Sequence, residues 1–163
     1  DIGIPPTSFK ATDIVVIAAP IRIAGGMEKK RRVIQISEVG KKWMEDEVDK
    51  VFSDIMKYNA SKDELEATDI FYMGQSEIIG KIAMDWGISI EEAIENIKMR
   101  ARMKEKMVEY GKTNKKLLEV KAVRDANNAY WIIVEEMKEK GELKWKEVEE
   151  KWTKWLCEYA GIK

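Results

Sequence analysis

Histidine is absent from all 163 residues, and that absence removes several chemistries at once. The chain has no imidazole general base, no Ser–His or Cys–His nucleophile pair, and no zinc site with an imidazole ligand. Cysteine occurs once, as Cys157, which excludes an internal disulfide and any CxxC redox or metal pair. A single thiol fits a reducing compartment. Net charge is also missing: 29 Lys plus Arg stand against 30 Asp plus Glu, for a formal charge of -1. No global positive field is available to hold nucleic acid. No apolar run approaches the ~20 residues of a membrane span, and no signal peptide is legible.

What is present suits a folded domain. At roughly 150 residues per domain the length allows one domain, or one with a helical appendage. A chain of this size buries roughly 70% of its extended-chain surface, and a hydrophobic content of 45% supplies a core. The charged fraction of 36% exceeds the ~25% usual for soluble domains. Abundant Lys and Glu with few Gln and Cys lean towards a heat-adapted composition.

The first third has the pattern of strands. Residues 12–23 are mostly β-branched and apolar, and the unbroken run Ile14 to Ala19 predicts a strand covered on both faces. Pro20 has no N–H to give a ladder, so the strand bends there or lies at an edge. Ala24-Gly25-Gly26-Met27 reads as a turn. Lys30 to Val39 then alternates, with Arg31, Val33, Gln35, Ser37 and Val39 on one face and Arg32, Ile34, Ile36 and Glu38 on the other. The two segments predict an antiparallel hairpin. Val51–Tyr58 and Leu65–Ile70, separated by the turn residues Asn59-Ala60-Ser61-Lys62-Asp63, predict a second, shorter one.

From Ser76 the pattern turns helical. Ser76 is placed to cap a helix carrying Ile78, Ile79, Ile82, Ala83 and Trp86, which Gly87 stops. Ser89 with Glu92 three residues on forms a capping box for a helix lined by Ile90, Ala93, Ile94, Ile97 and Ala101. Gly111 interrupts. A long helix follows over about Lys115 to Lys140, with Leu118, Ala122, Ala126, Ala129, Ile133 and Met137 along one side, and Gly141 ends it. The last helix lines up Trp145, Val148, Trp152, Trp155, Leu156 and Tyr159. The expected fold class is therefore α+β: antiparallel β-hairpins over 1–72, then a bundle of about four α-helices over 73–163.

Catalytic and cofactor motifs are scarce. No GxxxxGK[ST] phosphate cradle occurs, and Gly25-Gly26 is a lone pair in a turn. The pairs Glu91-Glu92, Glu135-Glu136 and Glu149-Glu150 fall on polar helix faces, where solvation is the ordinary role. No residue is assigned as catalytic, cofactor-binding or metal-ligating. Lys29-Lys30-Arg31-Arg32 is the densest positive run. It reads as a solvated edge that resists aggregation, or as a donor cluster for an acidic neighbour or phosphate. The aromatic stripe Trp145, Trp152, Trp155 and Tyr159 packs on the preceding helix by default; the alternative is docking on a partner or at a membrane interface, with Trp145, Trp152 and Trp155 as the candidate docking face. Cys157 beside them reads as an inert buried thiol.

The first part of the chain resembles a known family. Gly3 to Val16, then Arg22-Ile23, then Arg31-Arg32-Val33-Ile34-Gln35-Ile36-Ser37-Glu38-Val39-Gly40 resemble the closing segment of the motor domain in archaeal type II secretion and type IV pilus ATPases. The likeness continues through Asp69-Ile70-Phe71, Gly74 to Ile79 and Gly87 to Ala93, and covers about residues 1–110. It implies that the hairpins are late strands of a RecA-like motor core. It also implies a hexameric ring at the cytoplasmic face of a membrane, with ATP and Mg as the parent's cofactors. The family's Walker A lysine, Walker B acids and histidine box have no counterpart here, so no catalytic residue carries over and the chain alone is not expected to hydrolyse ATP.

The resemblance, together with a start at Asp1 rather than Met, predicts the C-terminal, non-catalytic portion of such a motor. Its implied partners are its own N-terminal motor region, neighbouring subunits and a membrane platform protein, with no nucleic acid. Arg22, Arg31 and Arg32 are the candidate subunit-interface or phosphate-proximal charges, since guanidinium forks suit carboxylate and phosphate. The alternative is a self-standing helical interaction module whose tryptophans dock in the helix-in-groove manner. An open sheet edge further predicts self-association at high concentration.

Overall fold

The computed structural model describes residues 10–22, 26–41, 51–141 and 143–161. Four strands come first, β1 (Ile14–Arg22), β2 (Lys29–Val39), β3 (Phe52–Asn59) and β4 (Glu64–Ala67). They form one sheet in the order β1-β2-β3-β4, every neighbouring pair antiparallel. The helices follow: the short α1 (Asp69–Tyr72), α2 (Glu77–Trp86), α3 (Ile90–Gly111), a 3-10 turn at Lys115–Leu118, α4 (Val120–Glu139) and α5 (Trp145–Ala160). This is an α+β fold, with strand giving way to helix between Ala67 and Asp69. The chain forms two compact units, Asp1–Ile94 and Glu95–Lys163.

Both expected hairpins are present, though the first turn, at Ala24-Gly25, falls outside the described residues. The sheet is more irregular than strict alternation. The β1–β2 register slips between Ile17 and Ala18, and the β2–β3 register between Ile36 and Ser37. A bulge adds one residue to one strand and turns the faces over, so a single in/out pattern along β2 is not kept. Ser37, Glu38 and Val39 are buried in succession, which marks an end of β2 covered on both faces. The apolar run in β1 lacks that cover. Ile14, Val16 and Ile17 are 45%, 55% and 40% exposed, because β1 is the outermost strand and its Pro20 sits opposite Arg31 at the sheet's edge.

Glu38 ties the sheet to α2. Its carboxylate accepts from the Ser76 hydroxyl at 2.7 Å and from the backbone N–H groups of Glu77 and Ile78 at 3.0 and 3.4 Å. Ser76 in turn accepts from the Ile79 N–H at 3.2 Å. A carboxylate at a helix N-terminus satisfies free donors and faces the positive end of the helix dipole. Gly87, in the left-handed region at φ 64°, ends α2 where a β-carbon would be strained. The capping box on α3 closes in both directions, Ser89 N–H to Glu92 at 2.9 Å and Glu92 N–H to Ser89 Oγ at 3.1 Å.

The second unit is built on small-against-large packing. The tail of α3 contributes Met99, Met103 and Met107, the 3-10 turn Leu117, and α5 Val148, Trp152 and Leu156. On α4 the inward residues Ala122, Ala126 and Ala129 are small, followed by Tyr130, Val134 and Met137. Alanines let the neighbouring backbone approach and leave room for the indole of Trp152, whose Nε1–H donates to the Ala126 carbonyl at 2.9 Å. Asn96 Nδ2 donates to the buried Tyr130 hydroxyl at 2.8 Å.

Two expected faces shift. Past Ile94, α3 buries Asn96, Met99, Met103 and Met107, while Ile97 and Ala101 stay exposed. The long helix begins at Val120, and the tighter 3-10 turn before it puts Leu117 in the core and leaves Leu118 outside.

Candidate functional site

Three regions come forward: the basic end of the first hairpin, the tryptophan helix, and a groove in the second unit. In the hairpin, Arg22 pairs with Lys29 and Pro20 with Arg31. Directly opposed residues share a face and the period along a strand is two, so Arg22, Lys29 and Arg31 lie on one face and Lys30 and Arg32 on the other. Arg22, Lys29 and Arg31 are exposed and form no ion pair among the described residues. They make a small cationic surface on an edge hairpin.

Arg32 is differently placed. Its guanidinium grips Asp63, Nε to Oδ1 at 2.9 Å and Nη2 to Oδ2 at 2.8 Å, and the Tyr58 hydroxyl donates to the same carboxylate at 2.7 Å. Asp63 sits in the β3–β4 turn with φ 54°, a conformation that Asp tolerates better than most residues. The Arg32 fork, aided by the Tyr58 hydroxyl, holds the Asp63 carboxyl well below its ordinary range, at about 2. Of the three candidate arginines, Arg22 and Arg31 stay available for an external anion, while Arg32 fastens the second hairpin's turn to β2.

A second carboxylate is also engaged. Burial pushes Asp54 up, but hydrogen bonds from Ser37, Lys57 and Gln35 outweigh it and bring the carboxyl below its ordinary range. Ser37 Oγ and Gln35 Nε2 each donate to Asp54 Oδ1 at 2.6 Å. The cluster cross-links β2 and β3 beside the bulge.

The tryptophans divide as well. Trp152 is 2% exposed and is a core residue that adds almost no surface to the outer side of this helix. Trp145 and Trp155 are half-buried and pack against the core. The Trp155 ring lies 6.2 Å from Trp152 and 4.9 Å from Tyr159, so these aromatics form a ladder with only its outer rungs wet. Cys157 is half-buried rather than enclosed. The paired glutamates are exposed except Glu149. Arg102 Nη2 lies 2.7 Å from its carboxylate and Lys106 Nζ lies 3.5 Å away. The Arg102 pairing holds Glu149 below its ordinary range against a smaller opposing effect of burial. This bridge joins α3 to α5.

The groove was not evident in the sequence. It has a volume of about 460 Å³ and runs between α3 and the start of α4, with Trp152 at its base. From α3 it takes Arg100, Met103, Lys104 and Met107, and from α4 Val120, Val123, Arg124 and Asn127. Both sets have the spacing i, i+3, i+4, i+7, one face of a helix. The missed signal was the repeat Met99, Met103, Met107 at intervals of four, which sits among charged residues. The groove's charged residues, Arg100, Lys104 and Arg124, are all basic. Arg100 lies 5.0 Å over the Tyr130 ring, a cation–π contact that steadies it.

No group of His, Cys, Asp and Glu able to hold a metal occurs among the described residues. No helix among them is long and apolar enough to cross a membrane. No protein-family model matches the chain, and no curated protein does.

Proposed function

We propose that the chain is the non-catalytic C-terminal portion of a hexameric secretion or pilus-assembly ATPase, serving ring assembly and partner docking. The observation that carries this reading is the bare apolar surface of β1. Ile14, Val16 and Ile17 form a run of the kind found in strands covered on both faces, yet they lie exposed on an edge strand. Such a surface fits a cover supplied from outside the strand, here the upstream motor core or a neighbouring subunit. The cationic face of Arg22, Lys29 and Arg31 beside it suits a carboxylate or phosphate across that junction. In this reading the ATP- and Mg-binding residues belong to the parent's upstream motifs, and the machine works at the cytoplasmic side of a membrane.

The test is made at two levels. The chain alone is expected to turn over no ATP, whereas the complete motor carrying it loses hexamer and turnover on Val16→Asp and loses turnover on Arg31→Ala. ATP hydrolysis by the chain alone, or a Val16→Asp motor that assembles and works normally, overturns the reading. The groove favours a second reading, a helical interaction module that acts without a motor. Partner binding by the chain in a cell lacking any such motor supports it.

A further inference from the structure

We propose that the groove between α3 and α4 is a docking site for a short, acidic amphipathic helix of a partner protein. The inference uses residues of the second unit alone and stands whether or not the chain belongs to a motor.

Shape is the first ground. Two helices each present an i, i+3, i+4, i+7 stripe to the same trough, one over Arg100–Met107 and one over Val120–Asn127. Seven residues of helix advance roughly 10 Å, so the trough is about two turns long, the span of the anchor residues in a helix-in-groove complex. Its base is formed by Met103, Met107, Ala126 and Trp152. Methionine adapts its shape to varied apolar side chains.

Exposure is the second ground. The apolar lining continues onto open walls, with Val120 86%, Val123 51% and Leu118 50% exposed. A small amphiphile filling the base would leave those walls wet, whereas a helix lying along the trough covers base and walls together.

Charge complementarity chooses the occupant. Arg100, Lys104 and Arg124 edge the groove and no acidic residue lines it, in a chain whose acids and bases are otherwise balanced. Lys104 has no ion-pair partner among the described residues. Arg124 meets only the neighbouring Asp125 at 3.3 Å, an exposed contact of little worth. The start of α4 adds its positive dipole end, with no acidic residue inside its first turn and Glu119 at the N-cap making no side-chain bond to the helix. A helix with carboxylates on both sides of an apolar stripe meets these charges on both walls.

The test titrates the whole chain into a fluorescein-labelled synthetic helix of about four turns, with Leu at i, i+4 and i+7 and Glu on the flanks, read by anisotropy. The expected result is saturable binding, with a matched peptide carrying Lys for Glu at least about tenfold weaker. The double variant Lys104→Glu, Arg124→Glu reverses that preference. Val123→Asp, at an exposed position, removes binding while the far-ultraviolet circular dichroism of the chain is unchanged. Equal affinity for both peptides, failure of the acidic peptide to saturate, displacement by sodium dodecanoate binding as tightly as the acidic peptide, or a dimer of the chain that Val123→Asp dissociates each overturns the proposal.

Discussion

The indole of Trp152 donates to the carbonyl of Ala126 at 2.9 Å, across the interface of α5 with α4 and deep in the second unit. The alanine leaves the space that the indole fills, and the bond fixes the ring's rotation. Replacing Trp152 by Phe removes the donor and part of the ring, and is expected to cost about 2 kcal/mol of stability. Chemical denaturation of the variant measures this, and an unmoved midpoint would place Trp152 outside the energetic core.

Glu38 accepts three hydrogen bonds at the start of α2 from a nearly fully buried position on β2. Glu38→Ala strands buried donors and is expected to destabilise the first unit by about 3 kcal/mol. Glu38→Gln keeps the shape but loses the charge facing the helix dipole, so the loss is smaller. Amide exchange across Ile79 to Ala83 reports it locally. Equal protection in both variants and the parent would refute the anchoring role.

Acid should weaken the second hairpin. Asp63 titrates at about 2 when folded, against ~3.9 in an unfolded chain. A depressed carboxyl contributes stability above the unfolded value, and that stability is lost as pH falls from about 4 towards 2. Asp63→Asn lacks the contribution at neutral pH, so the stability curves of the two proteins converge in acid. Parallel curves throughout would show that the Arg32 pair does not influence folding.

The edge of β1 is expected to drive self-association as protein concentration rises. Val16→Lys adds a charge to an exposed edge position, and should lower the weight-average mass in sedimentation while shifting stability by no more than ~0.5 kcal/mol. A parent chain that stays monomeric at millimolar concentration contradicts the prediction.

The caps were legible because their chemistry is local. Ser76 with Ile79, Ser89 with Glu92, and Gly87 at its left-handed stop all act within one helical turn. The hairpins were legible for the same reason: alternation and turn residues are short-range signals. The α3 core stripe is not legible from sequence, where Ile90, Ile94, Ile97 and Ala101 form the stronger apolar face. Beyond Ile94 the softer methionines Met99, Met103 and Met107 are the residues that meet the core. Leu118 was expected inside because a continuous helix from Lys115 would put it in phase with Ala122, and a 3-10 turn alters that phase.

The sequence alone determined the α+β order, the caps at Ser76, Gly87 and Ser89 and the absence of histidine chemistry, because these depend on composition or on neighbours a few residues away. Tertiary structure decided which arginine is occupied, which tryptophan is enclosed and where a groove opens. Arg32 meets Asp63 across 31 residues, Glu38 meets Ser76 across 38, and Asn96 meets Tyr130 across 34. Burial and pairing at such separations arise only when distant segments are brought together, and no local pattern encodes which of several similar side chains will face the meeting point.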